Sequence, residues 1–152
     1  MVCRRRMGNP GFGCNLSQTK PGQPFLVQNF ETCQHQRIAQ VLEARFPEVV
    51  ETQPELVAQH YTAAGLTDQA IPYWQRAGQR ASDRSAYIDA IAHLTQGLAL
   101  LEPLPDTPES ARQELVVQMT LGPVLMAIKG GGAPEVERVY ARARELCERV
   151  GE

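Results

Sequence analysis

The chain has 152 residues and a formal net charge of −2, which is enough length for one domain with its own core and too little charge for the basic face of a nucleic-acid binder. Aromatic residues make up only 6%, while Ala, Leu, Gln, Glu and Arg recur throughout, a balance that favours helix over sheet. No apolar run approaches the roughly 20 residues of a membrane-spanning helix, and Arg4-Arg5-Arg6 leads into Gly8, Asn9 and Pro10 rather than a secretory apolar core, so the expected address is cytoplasmic.

Composition shifts near residue 34. Residues 1–34 are rich in proline and glycine, carry four basic residues against one acidic, and show no apolar period, so they are expected to be disordered. Three of the four cysteines, Cys3, Cys14 and Cys33, fall here, and Cys147 lies in a later helix. Without a C-x2-C pair they lack the close paired ligands of structural zinc and read as reduced thiols. From residue 35 to 152 the apolar positions recur with helical spacing.

The first helix is expected from about Gln34 to Phe46, with Ile38, Val41, Leu42 and Phe46 inward and Pro47 ending it. Thr52-x-x-Glu55 has the pattern of a capping box opening a second helix, with Leu56, Val57, His60, Tyr61 and Ala64 buried and Gly65 at its exit. A third helix runs from Thr67 or Asp68 to about Ser82, with Pro72 near its first turn. A fourth spans about Ser85 to Glu102 and presents Ile88, Ile91, Ala92, Thr95, Leu98 and Leu101, broadened by Leu94 and Leu100. After Pro103, Pro105 and the Thr107-Pro108 cap, a long helix reaches about Lys129 with Leu115, Val116, Met119, Leu121 and Leu125 inward, kinked or split at Pro123. Gly130-Gly131-Gly132 turns the chain into a final helix from Pro134, whose inner face is Val136, Val139, Tyr140, Ala143, Leu146 and Val150.

The spacing Trp74-x2-Ala77-Gly78-x2-Ala81, then Ala90-x3-Leu94-x2-Gly97 and a proline at the exit, resembles the tetratricopeptide (TPR) pattern of paired antiparallel helices. Leu121-Gly122 and Tyr140-x2-Ala143 echo it with about two residues inserted. Ala77, Gly78 and Ala81 remove bulk from one helix face, so Leu94 and Leu98 of the partner can approach closely. The resemblance implies an all-α fold, a short right-handed α-solenoid of about six helices built from TPR-like antiparallel pairs, and partner binding rather than catalysis.

Other motifs carry less chemistry. The triple glycine lacks the Gly-Lys-Ser/Thr of a phosphate loop, since Lys129 precedes it, and reads as a connector needing positive φ. His60 reads as a hydrogen-bonded packing residue and Asp89/His93 as a surface helix pair; the alternative is a His60–His93 metal pair, with Asp89 four residues before His93 to orient its ring. Tyr73 and Trp74 read as repeat-core aromatics, with ligand contact as the alternative. No serine, cysteine or carboxylate sits in a catalytic motif, and no cofactor or metal site is expected.

A narrower resemblance rests on three runs: His35-Gln-Arg-Ile-Ala-Gln-Val-Leu-Glu-Ala-Arg-Phe-Pro, Pro54-Glu-Leu-Val-Ala-Gln-His-Tyr-Thr-Ala-Ala-Gly-Leu, and Ala70-Ile-Pro-Tyr-Trp-Gln-Arg-Ala-Gly. Together with Ala90-Ile-Ala-His-Leu, Leu121-Gly-Pro and Tyr140-Ala-Arg-Ala-Arg-Glu-Leu-Cys, they resemble the TPR-like region of large bacterial signalling proteins that fuse an adenylate/guanylate cyclase domain to a STAND-type AAA ATPase. The resemblance covers about residues 35–152 and brings no cyclase aspartate or ATPase P-loop with it. It implies a non-catalytic repeat fragment, truncated from such a protein, whose residues 1–34 are unrelated. The expected partner is a protein or peptide, including the cyclase and ATPase domains of the parent, held by Glu55, Gln59, Gln75, Arg76 and Gln79. The alternative is membership of a cyclase–ATPase whose nucleotide chemistry is encoded upstream. Uncapped ends of the array would favour self-association.

Overall fold

The computed structural model describes residues 25–151, with side chains from residue 31 onward. Seven helices and no strand are present among the described residues: α1 (Phe25–Arg45), α2 (Pro47–Thr52), α3 (Pro54–Ala63), α4 (Thr67–Asp83), α5 (Tyr87–Leu101), α6 (Pro108–Lys129) and α7 (Pro134–Val150). Proline opens four of them, at positions 47, 54, 108 and 134, where its missing N–H is an orphan in any helix. The exits use positive φ: Gly65 at 69°, Ser85 at 60° and Gly130 at 82°. After α3 and α4 the chain closes with the same backbone bond across the turn, Leu66 N–H to Tyr61 O and Ala86 N–H to Ala81 O, the long bond of a Schellman turn.

Several boundaries differ from those expected. Helix α1 begins at Phe25, so residues 25–34, assigned by composition to a disordered leader, are helical; the run after Pro24 holds neither proline nor glycine, and that proline is the real punctuation. Residues 1–24 lie outside the described residues. Cys33 is disulfide-bonded rather than a reduced thiol, a pairing that spacing along the chain does not encode, while Cys147 is free. The capping box at Thr52 does not form. Instead the Thr52 hydroxyl donates to the Glu48 carbonyl at 2.6 Å, closing the additional short helix α2, and α3 starts at Pro54 behind Gln53 without a side-chain cap. A capping box does form at Thr107, whose side chain accepts from Ser110 N–H while Ser110 Oγ accepts from Thr107 N–H. Helix α6 runs unbroken through Pro123 rather than splitting there.

Helices pack mainly on their neighbours in the chain, with two exceptions: α1 packs on α3 more than on α2, and α4 also touches α6. One core cluster joins α4 to α7 through Ile71, Leu94, Leu101, Val117, Leu121 and Val136. A second joins α1 to α4 through Ala39, Val50, Val57, Tyr61, Ala70 and Trp74. The inward faces of α3 and α7 largely follow the apolar period; α6 follows it at Leu115, Leu121 and Leu125 but not at Val116 and Met119, and α1 and α5 depart from it further. Ile38, Val41 and Phe46 are exposed while Ala39 is fully buried, and Ile88 is 80% exposed while Ala90 and Leu94 are fully buried. Ala92 and Thr95, expected inward, are exposed too. The cause is close approach, because where two helix axes come near one another the contact line is occupied by small residues and large ones are displaced to its flanks.

The α4–α5 joint shows this directly. A Cβ built on Gly78 would stand 2.4 Å from Leu94 Cγ and 2.6 Å from its Cδ2, and one on Gly97 would stand 3.5 Å from the Cβ of Trp74. Ala81 and Ala90 share a buried cluster at the far end. Residues 74, 78 and 81 thus face 97, 94 and 90, so the pair is antiparallel. Helices α6 and α7 repeat the arrangement: a Cβ on Gly122 would stand 2.8 Å from the Tyr140 ring, and Lys129 pairs with Glu135 across the turn. We expect Gly78→Ala to lower stability by about 1–3 kcal/mol despite its gain of up to about 1 kcal/mol in helix propensity, measured by urea denaturation. An unchanged or raised midpoint would contradict the close approach.

Candidate binding groove

The residues expected to form the groove lie on two helices. Glu55 and Gln59 are on α3, half-buried and exposed respectively; Gln75 is half-buried on α4, with Arg76 and Gln79 exposed. Arg76 covers the Tyr73 ring at 5.8 Å, and Gln79 donates to Asp83 at 2.8 Å. They do not converge on one cavity. Only Gln79 lines a groove, a space of about 430 Å³ between α4 and α6 whose other walls include Ser82, Val116, Met119, Thr120 and Pro123. Val116 and Met119, read from the sequence as core, are 45% and 51% exposed. The signal that marks them was the width of the apolar stripe on α6: Val117, Leu121, Val124 and Leu125 already fill the buried side, leaving these two over.

The repeat-packing residues occupy the α4–α5 joint. Trp74, Ala77, Gly78, Ala81, Ala90, Leu94 and Gly97 are all buried. Trp74 stacks on His93 at 5.6 Å between ring centroids and donates its indole N–H to Thr62 Oγ1 at 3.0 Å, so its polar atom is satisfied on α3 while its ring spans to α5. The aromatic is therefore a clamp across three helices.

His60 and His93 have separate partners, His93 stacking on Trp74 and His60 lying against His35 of α1. The His35 and His60 Nδ1 atoms are 2.8 Å apart, a distance that needs one nitrogen to donate and the other to accept. Among the described residues no group of three or more His, Cys, Asp or Glu is placed to hold a metal ion. Two turns farther along α1, the Glu43 carboxylate accepts from Tyr61 of α3 at 2.6 Å and from Tyr73 of α4. Burial and these bonds to a carboxylate hold both phenols protonated, with Tyr73 pushed up to about 12 and Tyr61 also raised. The histidine pair and the Glu43 clasp tie α1 onto the array.

No family model matches the chain, and no solved structure matches it. Over 93 residues it is 31% identical to an uncharacterized protein of Rhizobium meliloti (strain 1021), a match covering 61% of this chain and 9% of that protein. The relative is therefore a much longer protein, of which this chain spans a small part. No described helix is long and apolar enough to cross a membrane.

The histidine contact makes stability depend on pH. His60 is held below its ordinary value of 6.5, first by burial and then by repulsion from His35, so as pH falls the unfolded chain takes up the proton before the folded one does. Stability should be level above about pH 7.5 and fall as pH drops below 6.5 toward the lowered value. In thermal denaturation scans, His60→Gln is expected to flatten that decline, and a variant with the parent's full slope would refute the assignment.

Proposed function

We propose that this chain is an interaction module: a TPR-like helical array that binds a protein or peptide partner along the α4–α6 groove and supplies no catalytic group of its own. The observation that carries this reading is the repetition of one joint, Gly78 under Leu94 and Gly122 under Tyr140, in two successive antiparallel pairs. Stacking such pairs sets the first helix of each side by side, and here α4 and α6 leave Val116, Met119 and Pro123 open to solvent beside Gln79. Apolar side chains on a concave surface with a polar rim suit an amphipathic helix or extended peptide. Repeat arrays bind in this manner because each unit contributes only a few contacts to a continuous surface.

The much longer relative supports placing the module inside a larger protein. The residue runs from His35 to Tyr140 carry the narrower proposal that the larger protein is a cytoplasmic cyclase–ATPase signalling protein, with the array holding its own catalytic domains or a client. In either case Glu55, Gln59, Gln75 and Arg76 stand outside the groove, and α6 supplies the anchoring contacts.

Buried interface anchors are worth about 1–2 kcal/mol or more each. With a partner identified by affinity capture on the full chain, Met119→Lys is expected to weaken binding by about tenfold or more, measured by calorimetry, while Arg144→Gln on the exposed side of α7 leaves it unchanged. Equal affinity for Met119→Lys and the parent would overturn the groove. Nucleotide turnover by the purified chain would overturn the non-catalytic reading.

A further inference from the structure

We infer that residues 31–38, the leading part of α1, form a flap on α3 that acid releases: its latch, the facing rings of His35 and His60, takes up one proton in place and is opened by a second. This concerns the α1 end of the array and does not rest on the partner reading above.

The geometry of the two rings carries it. Their Nδ1 atoms are 2.8 Å apart and their centroids 5.1 Å apart. The difference is about twice the distance from the centre of an imidazole to its own nitrogen, so both nitrogens lie on the line joining the rings and each points straight at the other. Such a line has room for one hydrogen. With both rings neutral, one Nδ1 carries that hydrogen and the other accepts it. A first added proton goes to the outward Nε2 of the donor ring and leaves the bond in place, now charge-assisted. A second has only the accepting Nδ1 to go to, and two N–H groups on two cations then face one another.

The release is local because the packing of α1 begins after this stretch. None of residues 31–38 is buried, whereas Ala39 is fully buried and Leu42 packs in the same cluster. Beyond them the Glu43 clasp holds, and its two phenols, both raised, stay donors in acid. The disulfide of Cys33 does not run to α3, which has no cysteine. The charged groups on the surrounding elements are Glu31 and Arg37 of α1, Glu48 and Glu51 of α2, Glu55 of α3, and Asp68 and Arg76 of α4. Yet the charge acting on His60 is that of His35, so no carboxylate is in place to compensate the second proton. A short helical segment without its packing frays.

The sign follows from the docked and released states. His60 is held below its ordinary 6.5 while docked and regains that value when released. The flap is therefore closed above about pH 7.5, and the ratio of released to docked chain rises by up to about tenfold per pH unit as pH falls from 6.5 through the lowered value.

The test is NMR of the full chain at pH 7.5 and at pH 5. Cross-peaks between the His35 and His60 rings and helical backbone shifts over residues 31–38 are expected at pH 7.5. At pH 5 those cross-peaks are lost and the same residues move toward unfolded shifts, while the contact between the Tyr61 and Tyr73 rings persists. In His60→Gln the state of residues 31–38 is the same at both pH values, and in Glu31→Gln the parent's response is kept. The proposal is overturned if residues 31–38 stay helical and docked at pH 5, if the Tyr61–Tyr73 contact is lost together with them, if His60→Gln responds as the parent does, or if Glu31→Gln abolishes the response.

Discussion

Everything else in the array depends on the contact between the bare backbone of Gly78 and the side chain of Leu94. Leu94 is fully buried, and no atom fits between it and α4. That contact sets the distance between α4 and α5, and the distance decides which residues lie on the contact line. Small side chains at Ala77, Ala81, Ala90 and Gly97 follow as a requirement. So does the ejection of Ile88 to solvent, and so does the position of Trp74, whose ring crosses the joint to His93 while its N–H returns to α3.

The second pair applies the same rule with different parts. Gly122 admits the Tyr140 ring where Gly78 admits leucine, and the Glu114–Arg142 bridge holds the other end. Where the first pair has Trp74 as a clamp, the second has Gln118 and an open cavity.

The sequence made some of this legible. The small-residue spacing from Trp74 to Gly97 located the joint, because glycine and alanine at those steps have a mechanical meaning that survives any ambiguity about hydrophobicity. The long helices, Pro134 as a helix start and the Thr107 cap were readable for similar local reasons. The apolar period locates Leu94, Leu101, Leu115, Leu121 and Leu125 inside, but it also places Ile38, Ile88 and Met119 inward when close packing wants Ala39, Ala90 and Gly122 there. The start of α1 is hidden in the sequence because the proline and glycine of residues 1–24 dominate the composition of any window that includes it. The α4–α6 groove and the His35–His60 contact depend on which helices become neighbours, and a single helix's sequence does not carry that.

The central claim, that two successive pairs are built on the same close approach, is tested most directly by proton–proton NMR contacts. Strong cross-peaks from the Gly78 α protons to the Leu94 methyls, and from the Gly122 α protons to the Tyr140 ring, are expected together in the folded chain. Their absence at either glycine, in a chain whose helices are otherwise formed, would contradict the account.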